Sequence, residues 1–254
     1  MKKTIILVSV VILISYLSSC EYDNYDAPSV KITGKLISGG QNFLYDGNPA
    51  RGLIKVIQKG FGKADNGTSV RVDENGRFAQ LLFPGEYWLT LENNVYPFDF
   101  KAIRSLGAGL GYDSLKIDLQ SDIEMDLELV PYYLLTDFTA KVENNNIVLR
   151  CNVAKNPEAP VTVPKVIFAR GYAGTTSIVN GGTLCTKSKR AVITSSGSFE
   201  ILIPLFGTNS YRDIYKNNFR EHAFCRVSIE LDGIPSYYLY SDIVKIENVP
   251  LVQQ

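Results

Sequence analysis

The chain is poor in the residues from which most active sites are built. Of its 254 residues, one is histidine, one tryptophan, two methionine and four cysteine. No cysteines or histidines stand at paired metal-ligand spacing, so no zinc site is expected. No nucleophile elbow, phosphate-binding glycine loop or dinucleotide fingerprint occurs. No cofactor and no enzyme activity are therefore expected. Basic runs are missing too. The 26 Lys+Arg balance 26 Asp+Glu, and no stretch could release many counterions from a phosphate backbone. Nucleic acid is not an expected partner. Beyond the first twenty residues no apolar run is long enough to cross a bilayer as a helix.

What is present is β-forming. Twenty glycines, eleven prolines and 11% aromatics, without long helical periodicity, predict an all-β chain.

The N-terminus is a processing signal. Lys2 and Lys3 precede the apolar run Ile5 to Ile14, and Leu17-Ser18-Ser19-Cys20 follows. This resembles the lipobox of bacterial lipoproteins, which implies cleavage after residue 19 and a diacylglycerol on the Cys20 thiol. Several acyl chains give a stable anchor where one gives marginal binding. The signal holds two lysines and no acid, so the mature chain carries 24 basic against 26 acidic residues, a net of −2. Residues 20–28, with Asp23, Asp26 and Pro28, read as a flexible tether. Acids just after the cysteine also resemble the surface-export signals of Bacteroidetes lipoproteins.

Residues 29–130 read as a first sandwich of seven or eight strands. Val30, Ile32, Gly34 and Leu36 alternate with polar neighbours, and Ile54 to Ile57 forms a second strand. Val70 to Val72 leads through Asp73-Glu74-Asn75-Gly76 into Arg77 to Leu82, an Asn-Gly hairpin signal. Tyr87, Leu89 and Leu91 share one face, which turns Trp88 and Thr90 outward. Leu115, Ile117 and Leu119 alternate again, as do Ile123, Met125, Leu127 and Leu129. The order Gly34, Asn75-Gly76-Arg77-Phe78 and Pro84-Gly85-Glu86-Tyr87-Trp88-Leu89 resembles the transthyretin-like or carboxypeptidase-regulatory-like fold. That motif speaks for fold and is nearly silent on function. From the lipobox to the C-terminus, the chain is similar to an uncharacterised two-domain lipoprotein family, a domain of unknown function, of gut Bacteroidetes. Its genes often neighbour starch-utilisation-type outer-membrane transporters. The resemblance implies an outer-membrane glycan context and transfers no site residues.

Residues 131–254 read as a second, immunoglobulin- or fibronectin-like sandwich. Its expected strands are Leu135 to Val142, Ile147 to Val153, Lys165 to Arg170, Thr176 to Leu184, Phe199 to Leu205, Ala223 to Leu231 and Tyr237 to Ile246. A helical turn is expected around Tyr211 to Tyr215. Cys151 and Cys225 face the core where an immunoglobulin disulfide would sit. Alternatively, both are small buried hydrophobes, which the missing partner tryptophan and tyrosine favour (Phe168 and Ala223 stand nearest those positions).

His222 lies on the face opposite Cys225 and reads as a solvated strand residue. Asp122, Glu124, Asp126 and Glu128 have the i, i+2 spacing of a carboxylate pair, but their alternation with apolar residues marks the wet face of a half-buried strand. A catalytic pair needs one carboxyl in an apolar pocket. The candidate glycan contacts are aromatics: outward Trp88, and Tyr96, Tyr211 and Tyr215 on two long connections. Each could instead pack over a sheet end or against the other domain, and Phe98 and Phe100 read as strand core. The expected function is a non-catalytic outer-membrane lipoprotein that binds glycan for a capture and import system, facing outward, with the periplasmic face as the alternative. Its rival is a scaffold lipoprotein that binds protein partners, such as the transporter, and no glycan.

Overall fold

The computed structural model describes residues 26–44, 52–58, 67–92, 96–101, 114–193, 196–214 and 219–252. The lipobox, Cys20 and Tyr215 lie outside them. The regular structure of the described chain is almost wholly strand, as expected. No helix among the described residues is long and apolar enough to cross a membrane.

The first ten strands are β1 (Val30–Ser38), β2 (Gln41–Asn42), β3 (Ile54–Gln58), β4 (Thr68–Val70), β5 (Arg77–Leu82), β6 (Gly85–Leu91), β7 (Phe98–Phe100), β8 (Ser114–Leu119), β9 (Ile123–Glu124) and β10 (Leu127–Pro131). They form two sheets. One runs β2-β1-β10-β7, with β5 and β9 also on β1; the other runs β4-β3-β6-β8. Ile32, Leu36, Ile54, Val56, Tyr87, Leu89, Phe98, Phe100, Leu119 and Leu129 are buried between them. The expected inward set on β6 is therefore found, and so are Phe98 and Phe100.

Two local features differ from the sequence expectation, and both shape the groove described below. Asn75 and Gly76 both tolerate positive φ, and of the two only Gly76 takes it (φ 76°). The loop spans three residues instead, with the Asp73 amide bonded to the Arg77 carbonyl (2.9 Å). Asp73 Oδ1 accepts the amides of Asn75 (2.9 Å) and Arg77 (2.8 Å), a side-chain-stabilised turn that closes with glycine in the left-handed region. Just before it, the chain changes sheets. Val70 pairs with Ile54 on β3, while Val72 bridges Phe78 on β5.

The second difference concerns the acid-rich strand, expected to be continuous over Ile123 to Leu129. It breaks at Met125 into β9 and β10, each parallel to β1. Asp122 Oδ1 accepts the Lys31 amide (2.8 Å) and Asp126 Oδ1 the Lys35 amide (3.3 Å). Those two carboxylates thus replace ladder carbonyls beside β1. Glu128 pairs with Lys101 at 2.8 Å, and Glu124 stays exposed. At the break the Met125 carbonyl presses on β1, where a Cβ on Gly34 would sit 1.8 Å from its oxygen. Only glycine fits.

After Tyr132 the chain builds two further sheets from β11 (Tyr133–Glu143), β12 (Asn146–Lys155), β13 (Val166–Gly174), β14 (Thr186–Lys187), β15 (Ala191–Val192), β16 (Gly197–Pro204), β17 (His222–Leu231), β18 (Tyr238–Tyr240) and β19 (Val244–Glu247). One sheet is β11-β12-β16. The other is β14-β13-β17-β18, with β15 on β13 and β19 on β17. Asn144 and Asn145 both take positive φ (47° and 59°) in the two-residue turn from β11 to β12, the geometry that matches strand twist.

Thr176 to Leu184, expected as a strand, is irregular. Asn180 Oδ1 accepts the amides of Gly182 (2.8 Å) and Thr183 (3.0 Å), and this local turn overrides the β-branched residues before it. The expected strand Tyr237 to Ile246 is two short ones. Between them Ser241 folds onto β17, its Oγ accepting the Val227 amide at 3.1 Å. The helical turn is α1 (Tyr211–Ile214). Cys151, Cys185 and Cys225 are buried free thiols. Cys151 lies on β12 and Cys225 on β17, in different sheets and unbonded. Burial pushes both thiols up to about 12.

The two halves share one contiguous apolar core. Polar contacts tie them as well. Asn156 donates through Nδ2 to the Pro131 carbonyl (2.8 Å) and through its amide to the Tyr132 carbonyl (3.0 Å). Arg226 of β17, 1% exposed, donates to the carbonyls of Ser241 (3.0 Å) and of Leu44 in the first half (3.2 Å). Its guanidinium lies 4.0 Å from the Tyr240 ring centroid.

Candidate functional site

Strand alternation puts opposite faces of β6 in different surroundings. Tyr87 and Leu89 enter the core, and Trp88 turns to the outer face of the four-stranded sheet, opposite Ile57 and Lys116. It is half-buried there. Lys116 Nζ pairs with Glu86 at 3.0 Å one register step away, so the indole is edged by a charged pair and by Thr90. An apolar ring beside donors and acceptors is a surface on which a sugar's C–H face could stack.

The other proposed aromatics do not join it. Tyr96 is 3% exposed, stacked on Phe98 at 5.3 Å and edge-on to Tyr237 of the second half at 4.6 Å. Tyr211 is fully buried, and its hydroxyl donates to the His222 carbonyl at 2.9 Å. Neither ring offers a face to a ligand, because one seals the joint between the halves and the other anchors α1 to β17. His222 is half-buried and meets Phe224 edge-on at 5.7 Å, not fully solvated as its strand position suggested.

One concave feature of the described surface was not foreseen from the sequence. On the outer face of the other sheet, an open groove of about 730 Å³ runs across β1 and β5 to the turn after Val72, a volume typical of ligand sites. Three stretches distant in sequence build it. Its floor is small: Thr33 and Gly34 of β1, with Ala79 of β5 paired to Thr33. Glu124 is paired to Thr33 from the other side through β9. Lys35 and Arg77 face each other across β1 and β5. The sheet-switching segment brings Arg71, Asp73 and Glu74 to the rim.

Among the described residues, the side chains of Lys35, Arg71, Arg77, Glu74 and Glu124 make no hydrogen bond or ion pair; Lys35 and Arg77 are held through their backbone groups. Asp73 uses Oδ1 on the turn amides. Three cationic and three anionic groups thus stand around one groove, with no ion pair between them among the described residues. The i, i+2 alternation of β1 and β5 placed Lys35 and Arg77 on a wet face, but no local pattern brought Arg71 and Glu124 to the same place. No group of three His, Cys, Asp or Glu residues converges as metal ligands among the described residues.

These features define a class: an all-β protein of two joined sandwiches, with a polar groove on the outer face of the first. Residues 30–130 match the family model described as "Protein of unknown function (DUF3823) N-terminal domain". Along most of its length the chain is similar to solved structures from Bacteroidetes. A DUF3823 family protein from Parabacteroides merdae ATCC 43184 shares 21% identity at a TM-score of 0.67, covering 87% of this chain and all of that one. A DUF3823 family protein from Bacteroides ovatus ATCC 8483 shares 19% at 0.61, with 86% and 99% coverage. A protein from Bacteroides uniformis ATCC 8492, described as a candidate carbohydrate binding protein, shares 15% at 0.63, with 87% and 100% coverage. At such identities the likeness speaks for the fold. No curated protein matches the chain.

Proposed function

We propose that this chain is a non-catalytic, lipid-anchored protein of the outer membrane, facing outward, that binds glycan for a polysaccharide capture and import system. The groove on the first sandwich carries the reading. Its unpaired charged side chains around a small-residue floor form a surface built for hydrogen bonding to a hydroxyl-rich ligand. The lipobox resemblance at Leu17 to Cys20 supports the anchor, and the description of the Bacteroides uniformis protein agrees with the ligand class. A binding rather than cutting role fits the acids. Asp122 and Asp126 are bonded to β1 amides, and Glu124 lies exposed.

Affinity gel electrophoresis of the mature protein against a polysaccharide panel tests this, with Arg77→Ala and Trp88→Ala alongside. Retardation that Arg77→Ala weakens by about tenfold, the loss of one charge-assisted contact, supports the groove. Retardation lost only in Trp88→Ala would move the site to the opposite sheet and overturn the groove reading. No retardation by any polysaccharide, with co-purification of a transporter, would replace the proposal with the scaffold role.

A further inference from the structure

We infer that the groove selects neutral glycans over charged ones. This rests on the glycan reading above and goes further by naming the substrate class. The formal charges of the lining cancel: Lys35, Arg71 and Arg77 against Asp73, Glu74 and Glu124. Their order across the groove carries the argument. Register puts Glu124 beside Thr33 on β9, the Lys35–Arg77 pair on β1 and β5, and Asp73, Glu74 and Arg71 at the far rim. Acids therefore stand at both ends, with Lys35 and Arg77 between them and Arg71 at the far rim.

A bound carboxylate or sulfate gains from the Lys35–Arg77 pair but lies within a groove that has carboxylates at either end. A cationic ligand meets the mirror problem. A sugar hydroxyl donates and accepts, so a chain of neutral hexoses can donate hydrogen bonds to Glu124 and Glu74 and accept them from Lys35, Arg71 and Arg77, with no like-charge opposition. The floor agrees with this. Thr33, Gly34 and Ala79 project nothing large, which leaves a ledge on which a ring can lie while its edge hydroxyls meet the walls. The one aromatic in the lining, Phe78, is 5% exposed. Selection here is by hydrogen bonding and not by stacking.

The test is isothermal titration of the full mature protein with three oligosaccharide sets of equal length: neutral, uronate-containing and sulfated. Arg71→Ala and Glu124→Gln are measured in parallel, with circular dichroism to verify folding. The inference expects the neutral set to bind tightest and both variants to weaken it, each by about tenfold. It also expects little change in neutral binding between 50 and 300 mM salt, since no net charge is exchanged (roughly the range over which paired surface charges are screened). Tighter binding of an acidic set, improved further by Glu124→Gln, overturns the neutral selectivity and leaves the glycan reading standing. Absence of heat with all three sets, from correctly folded protein, overturns the glycan reading itself.

Discussion

Replacing Arg226 tests whether the two sandwiches are held by a buried cation. The guanidinium sits at the joint, donating to the Ser241 carbonyl at 3.0 Å and the Leu44 carbonyl at 3.2 Å over the Tyr240 ring. Truncation to alanine leaves both carbonyls short of a donor, at about 1–3 kcal/mol each. It also removes a desolvated cation–π contact worth about 2 kcal/mol. Against this stands the relief of several kcal/mol once the buried charge no longer has to be desolvated. The net expectation is a loss of about 3 kcal/mol, by the difference of these opposing contributions. Arg226→Met refills most of the volume but supplies no donor, so it should recover only the packing part and lose about 2 kcal/mol. Arg226→Lys keeps the charge but cannot fork between carbonyls on two segments, and should fall between wild type and alanine. Urea denaturation followed by tryptophan fluorescence and circular dichroism gives each midpoint. Fluorescence reports Trp88 in the first half, so a change there from a substitution on β17 shows the coupling directly. If Arg226→Ala lies within about 1 kcal/mol of wild type, a typical surface effect, the joint does not depend on this residue.

Two further outcomes follow from the core. Gly34→Ala places a methyl 1.8 Å from the Met125 oxygen and 2.9 Å from Phe78 Cζ. Because the nearer neighbour is backbone, β9 must move off β1, and the loss should reach roughly 3 kcal/mol, the upper end of overpacking; an unchanged melting temperature would refute the close approach. Burial, the largest cause, pushes the Cys151 and Cys225 thiols from 9.0 to about 12. The protonated form is thus favoured by folding, so this contribution is full below pH 9 and is lost as pH rises from there through about 12. Iodoacetamide at pH 8 should leave both unlabelled until denaturant is added; native labelling at the rate of a free thiol would contradict their burial.

Strand identity was legible wherever alternation was backed by tertiary cover. Tyr87 and Leu89 enter the core as their period demands, as do Phe98, Phe100, Ile147, Leu149 and Cys151. Turn chemistry was legible in kind, though Asp73 moved the Asn75-Gly76 turn to a three-residue form. The candidate site was much less legible. Trp88 stands on the outer face where alternation put it, half-covered. Tyr96 and Tyr211 lie on long connections that looked free, and both are buried, Tyr96 against Tyr237 at the joint and Tyr211 against β17.

The amino-acid order by itself determined the β class, the inward face of most strands and the glycines at the turns, because these depend on residues a few positions apart. Only the tertiary structure decided which outward faces stay open, and which distant side chains share them. Glu124 reaches Thr33 through a parallel pairing across some ninety residues, and Arg71 shares the groove with Arg77 because the chain changes sheets at Val72. A parallel neighbour and a sheet switch leave no periodic trace, since they are set by how whole sheets pack and not by local spacing.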